Sequence, residues 1–288
     1  MANLFGYYKN EAWSYWSDTF NGNISAWNTS QVTSFDYMFY YASSFNGDLS
    51  QWHTRKVTSM TSMFEYATTF NGSLSRWDTS QVVDISAMFY GASAFNGDIS
   101  AWNTSQVTSL DYMFNYASSF NGDVSQWDTR KVTSMSSMFL AASSFMGNIS
   151  EWNTRQVTSM DHTFFGASLF NGDLSQWDTS KVTTMDYMFW GATVFHGNIS
   201  RWDTSQVTSM SFMFYYASSF ASDVSLWDTR KVTSMHSIYI SNNYAYSLAI
   251  VKAFCSTESY AYNIGTGRGV AQSKADDIIL RYARFHKT

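Results

Sequence analysis

The chain has 288 residues, a formal net charge of −5, 14% charged residues, 19% aromatic residues and no proline. At the usual frequency of about 5%, a chain of this length carries roughly fourteen prolines. Disordered chains lack aromatics, collagen needs a Gly–Pro period and disulfide scaffolds need several cysteines, so with Cys255 alone all three classes are excluded.

The sequence pI is near 5.4 and no block of five or six basic residues occurs, so no nucleic-acid partner is expected. No run of 18 apolar residues exists, so no membrane span is expected either. Residues 1–19 begin without a charged region followed by an apolar run, which predicts no signal peptide. Phe5, Tyr7, Tyr8, Trp13, Tyr15 and Trp16 make this segment a candidate aromatic cap.

From Phe20 the chain falls into nine rows of 25 residues, beginning at Phe20, Phe45, Phe70, Phe95, Phe120, Phe145, Phe170, Phe195 and Phe220. Counting the leading Phe as slot 1, the consensus is F-N-G-[DN]-[LIV]-S-x-W-[DN]-T-[SR]-[QK]-V-T-S-M-x-x-M-F-x-x-A-S-S. Row one resembles row four and row two resembles row five, as duplication of a three-row block would leave them. A fixed period means a solenoid, in which stacked rows bury the apolar slots that no single row can bury. The expected fold is a right-handed stack of nine coils over residues 20–244, with parallel β-sheet and short helical turns. Within a row, Asp48–Trp52 and Lys56–Met60 read as strands, Asn46-Gly47 as a turn, and Ser62–Ala67 as one helical turn. Strands stacked at about 4.8 Å would give a rod of roughly 45 Å.

The run A-S-S-F-N-G-D-L-S-Q-W-D-T-S-x-V-T-S-M-D-Y-M-F resembles the 25-residue repeats of BspA-like surface proteins, relatives of the treponemal type of leucine-rich repeat. The resemblance covers residues 20–244 and implies a surface-exposed, adhesive recognition module with no enzymatic activity. The treponemal repeat often ends its strand with Ile-Pro, whereas this chain places Trp-Asp or Trp-Asn there.

Four sets of columns carry chemistry. The Asp/Asn columns at slots 4 and 9, including Asp48 and Asp78, read either as calcium ligands or as Asx-turns. Free exchange with Ser73 and His53 favours turns, and no metal or cofactor is expected. The Thr columns headed by Thr29 and Thr33 suit ice recognition only if both lie on one exposed flat face. After Trp, residues such as Arg55-Lys56 and Arg130-Lys131 form a thin basic stripe that reads as a solvated edge. The pair after Met-Phe varies yet stays largely aromatic, which marks a contact surface. The candidate binding residues are therefore Tyr40, Tyr41, Tyr66, Tyr90, Tyr116, Phe165, Trp190, Tyr215 and Tyr216.

No catalytic residue is assigned. His53, His162, His196, His236 and His286 do not recur at metal-ligand spacing, and Gly265–Gly269 lacks the Lys-Ser/Thr of a phosphate loop. Residues 245–288 abandon the repeat. Ala245–Ser256 is helix-compatible, and after Ser273 the residues Ile278, Ile279, Tyr282 and Phe285 share one helical face, giving a helical cap or docking tail. The expected function is a non-enzymatic scaffold that binds a protein or glycan partner. The alternative is a structural subunit that assembles with copies of itself, and ice binding is third.

Overall fold

A computed structural model describes residues 18–236 and 238–240. The N-terminal cap within residues 1–17 and the helical tail within 241–288 lie outside the described residues. The rows stack in strict 25-residue register. Parallel bridges link slot 15 of each row to slot 15 of the next, from Ser34↔Ser59 to Ser209↔Ser234. One pair of short strands, β1 (Phe214–Tyr215) and β2 (Tyr239–Ile240), extends this pairing in parallel near the last described row.

The expected continuous parallel sheet is not formed by the described residues, which carry instead a column of single bridges. Asp48–Trp52 is a turn, because the Asp48 carboxylate accepts the Ser50 N–H at 2.8 Å and Trp52 donates back to the Leu49 carbonyl. In Lys56–Met60 only Ser59 bridges.

Ser62–Ala67 is not a helical turn, because its N–H groups divide alternately. Met63, Glu65 and Ala67 donate three residues back, to Met60, Ser62 and Phe64. Met60, Ser62, Phe64 and Tyr66 donate instead to Asp84, Ser86, Met88 and Tyr90 of the following row, at 2.6–3.0 Å. Such alternation needs a left-handed residue at each reversal. Slots 18 and 22 supply it, with φ between 53° and 66° from Tyr37 and Tyr41 through Phe212 and Tyr216.

Asn46-Gly47 is not a turn either. A Cβ on Gly47 would lie 2.8 Å from the Phe45 ring, so the glycine makes room for that ring. The Asn46 amide oxygen accepts the Asn71 N–H, and Asn46 itself donates to Asn21, so the column forms an amide ladder.

The core consists of aromatic ladders. Each Phe of Met-Phe stacks on its neighbours at 5.4–5.8 Å and on the next leading Phe at 3.7–4.1 Å. Indoles do likewise, Trp102 and Trp127 lying 6.4 Å apart and nearly parallel. Each buried indole N–H also finds a carbonyl in the previous row, as Trp127 does at Ile99 over 3.2 Å. An unpaired buried donor would cost about 1–3 kcal/mol, so this bond lets the largest apolar side chain enter the core. Trp127→Phe removes the donor and part of the packing. Its denaturation midpoint should fall by an amount equivalent to about 1–3 kcal/mol with an unchanged denaturant slope.

Candidate functional site

Slots 18, 21 and 22 lie on the outside of the alternating segment, so the residues there spread along one face. Slot 21 is half-buried at Tyr40, Glu65, Tyr90, Phe165, Trp190 and Tyr215. Slot 22 is exposed at Tyr41, Tyr116 and Tyr216, the last two each 53% accessible, and half-buried at Tyr66. All nine candidate aromatic residues thus share this face and touch one another in two groups.

In the first group the ring contacts run Tyr37–Tyr40–Tyr41–Tyr66–Tyr90 at 4.5–5.7 Å, and Tyr90 then reaches Tyr112 and Tyr116 at 6.4 and 6.2 Å. Three of the first four contacts are near-perpendicular, at 71–76°. Asn115, which stands in slot 21 of the row after Tyr90, is buried, and its Oδ1 has no hydrogen-bond partner among the described residues. In the second group three rings lie flat on one another, while Tyr216 meets Trp190 and Tyr215 edge-on at 83° and 77°. Phe165 and Trp190 stack at 4.2 Å and 8°, and Trp190 and Tyr215 at 6.2 Å and 6°. The two groups are separated by the row whose slots 18, 21 and 22 hold Ser137, Leu140 and Ala141 and so place no ring on this face.

Sequence reasoning missed slot 18. Tyr37, Tyr112, His162, Tyr187 and Phe212 join the face, and His162, Tyr187 and Phe212 form a second stack at 4.6 and 4.8 Å. The available signal was the same as for slots 21 and 22, a variable slot inside a strict repeat.

The face is lightly charged. Glu65 stands in slot 21 between Tyr40 and Tyr90, and burial pushes its carboxyl up, opposed by a hydrogen bond from Ser62. Burial first, then the Glu65 charge, pushes Tyr40 up to about 12. Tyr66 is likewise raised, chiefly by burial and by its hydrogen bond with Tyr90.

The remaining columns serve the stack. In the slot 4 and slot 9 columns, carboxylates and amides accept the N–H two residues ahead. Asp48 does so from Ser50 and Asp78 from Ser80, and these hydrogen bonds lower both acids. Among the described residues no group of three or more His, Cys, Asp or Glu is placed to hold a metal ion. The Thr29 column is buried, and from Thr29 to Thr204 each hydroxyl donates to a carbonyl of the next row, as Thr54 does to Asp78 at 2.9 Å. The Thr33 column is exposed. Two Thr columns on one exposed face therefore do not exist, and ice recognition through them is ruled out. In slot 12 of the basic stripe each lysine donates to the glutamine Oε1 of the previous row, as Lys56 to Gln31 at 2.7 Å and Lys131 to Gln106 at 2.6 Å, so like charges are never adjacent in this column.

These observations define a tandem-repeat protein with one aromatic face. The chain belongs to the family described as Mycoplasma protein of unknown function, DUF285, whose model matches residues 11–82, 72–162 and 146–249 in tandem. No curated protein matches the chain. No helix among the described residues is long and apolar enough to cross a membrane.

Two expectations follow from the geometry. At slot 22, Gly91 has φ 66° and an added Cβ would lie 2.5 Å from the Tyr66 ring, whereas Ala141 has φ 53° with a Cβ already in place. Ala141→Gly should therefore raise stability by about 1 kcal/mol in chemical denaturation, while Gly91→Ala lowers it. The second concerns pH. A carboxyl raised by folding stabilises while protonated, and that contribution is lost as pH rises through the raised value. Glu65→Gln should raise the melting temperature near neutral pH and change it little near about pH 4; an equal effect at both would contradict this.

Proposed function

We infer that the chain is a non-enzymatic recognition scaffold that binds a protein or glycan partner through its aromatic face. The observation that carries this reading is the row of rings on slots 18, 21 and 22, which vary in identity on an otherwise repeated frame. Tyrosine and tryptophan give large contact area for little loss of side-chain freedom. Exposed aromatic patches of this extent mark contact surfaces. A right-handed solenoid akin to the BspA-like branch of leucine-rich repeats accommodates the 25-residue register and its column of parallel bridges. Within that kinship the module works in adhesion at a cell or particle surface.

A second reading, self-assembly as a structural subunit, draws on Met146, Leu169 and Val194. These are exposed apolar residues on slots 2 and 25, beside the leading Phe of neighbouring rows. Light scattering after size-exclusion chromatography separates the two readings, because a monomer at high concentration argues against assembly. For the first reading, the purified chain is screened on a glycan array and against surface-displayed proteins. Replacing Tyr40, Tyr90 and Tyr215 with Ser should abolish the binding found while the denaturation curve keeps its cooperative form. Retained binding would overturn the assignment of the face.

A further inference from the structure

Slot 2 holds asparagine at Asn21, Asn46, Asn71, Asn96, Asn121 and Asn171, each followed by glycine. The side-chain oxygen of each accepts the N–H of slot 2 in the next row at 2.8–3.0 Å, from Asn46 on Asn21 to His196 on Asn171. An N–H held on a carbonyl oxygen polarises that carbonyl and stabilises negative charge that develops there. The glycine that follows has no Cβ to crowd its nitrogen. At Gly47 and Gly172 that N–H is engaged by no group among the described residues. The glycine nitrogen is therefore available to attack the asparagine Cγ, which closes a five-membered succinimide ring and expels ammonia.

Rows two and seven are a matched pair for this chemistry. Phe45–Trp52 and Phe170–Trp177 both read Phe-Asn-Gly-Asp-Leu-Ser-Gln-Trp. Asn46 and Asn171 are both exposed. A Cβ added to Gly47 or to Gly172 would lie 2.8 Å from the preceding Phe ring, and Asp48 and Asp173 accept the N–H of Ser50 and Ser175 at 2.8 and 2.9 Å. On the amide side they differ in slot 2 of the next row, which is Asn71 in one case and His196 in the other.

His196 Nε2 lies 3.1 Å from Asn171 Nδ2, and His196 Nδ1 lies 2.9 Å from the Val194 carbonyl oxygen. A carbonyl only accepts, so Nδ1 carries a hydrogen and Nε2 is the nitrogen that exchanges a proton with the amide. The amide itself is oriented at both atoms, because its Oδ1 accepts the His196 N–H at 2.9 Å. Nδ2 is the leaving group of ring closure and must gain a proton to depart as ammonia. In the other five pairs slot 2 of the next row is Asn46, Asn71, Asn96, Asn121 or Met146, none of which titrates.

We propose that Asn171-Gly172 is a self-modifying site, at which His196 is the general acid for conversion of Asn171 to aspartate and isoaspartate. The Gly172 nitrogen gives its proton to water and bonds to Asn171 Cγ. Charge gathers on Oδ1, where the His196 N–H holds it. The Cγ–Nδ2 bond then breaks, and Nδ2 keeps the electron pair, takes a proton from Nε2 of the protonated ring and departs as ammonia. Water opens the succinimide at either carbonyl, giving aspartate or isoaspartate. The net change consumes water and releases ammonia, with no oxidant or reductant. Isoaspartate routes the main chain through Cβ and so lengthens a row whose register the neighbouring rows fix.

The test incubates the whole chain at neutral pH and maps its peptides by mass spectrometry over time, with isoaspartate separated from aspartate by chromatography. Asn171 is expected to convert roughly tenfold faster than Asn46, less than a general acid gains in a site closed to water. His196→Asn, which restores the usual residue of slot 2, should bring Asn171 down to the rate of Asn46. Asn71→His should raise Asn46 toward the rate of Asn171. Asn121 lies rows away from both substitutions, and its unchanged rate reports independently that the fold is intact. Equal rates at Asn171 and Asn46 would overturn the site. A fast Asn171 that His196→Asn does not slow, or an Asn46 that Asn71→His does not quicken, would overturn the role of His196.

Discussion

The whole stack depends on one alternation of hydrogen bonds. From slot 18 to slot 22, every second N–H crosses to the next row and those between, at slots 19 and 21, turn back three residues. Neither a strand nor a helix can do both. A residue in the left-handed region at slots 18 and 22 reverses the chain direction each time. β-Branched residues are the least tolerant of that region. Slots 18 and 22 of the described rows hold Tyr, Phe, His, Ser, Ala and Gly, and no Val, Ile or Thr. The strict period follows from this arrangement, because one inserted residue would shift every crossing bond of the row out of register.

The missing prolines follow from the same constraint. Over the row Phe45–Thr69 backbone N–H groups are engaged at Phe45, Trp52, Val57, Thr58 and Ala67, and at each residue from Met60 to Tyr66. Others serve Asx-turns and the asparagine ladder, as at Ser50 and Asn46. Proline has no N–H and holds φ near −65°, so it is barred from the donor slots and from both left-handed slots. The aromatic excess has two origins. The Phe and Trp ladders fill the core once per row, whereas the rings of slots 18, 21 and 22 stand outside it.

Much of this was legible from the residues. The period, the apolar slots of the core and the Asx role of Asp48 and Asp78 all follow from local chemistry repeated nine times. Local signals failed where a neighbouring row supplied the partner. Asn46-Gly47 looks like a turn, yet the asparagine serves the next row and the glycine admits the Phe45 ring. Ser62–Ala67 looks helical, yet half of its donors leave the row. The Thr29 and Thr33 columns differ in composition only at Val83, yet the first is buried with its hydroxyls on carbonyls of the adjacent row and the second is exposed.

The sequence by itself determined that this is a tandem-repeat protein, which side chains make its core and why proline has no place in it. These properties arise within one row and are multiplied by the period. The tertiary structure decided the rest. It brought slot 18 onto the aromatic face and set which rings stack flat and which meet edge-on. It did so because ring orientation and exposure depend on residues 25 positions away, whose distance in space is set by hydrogen bonds between rows.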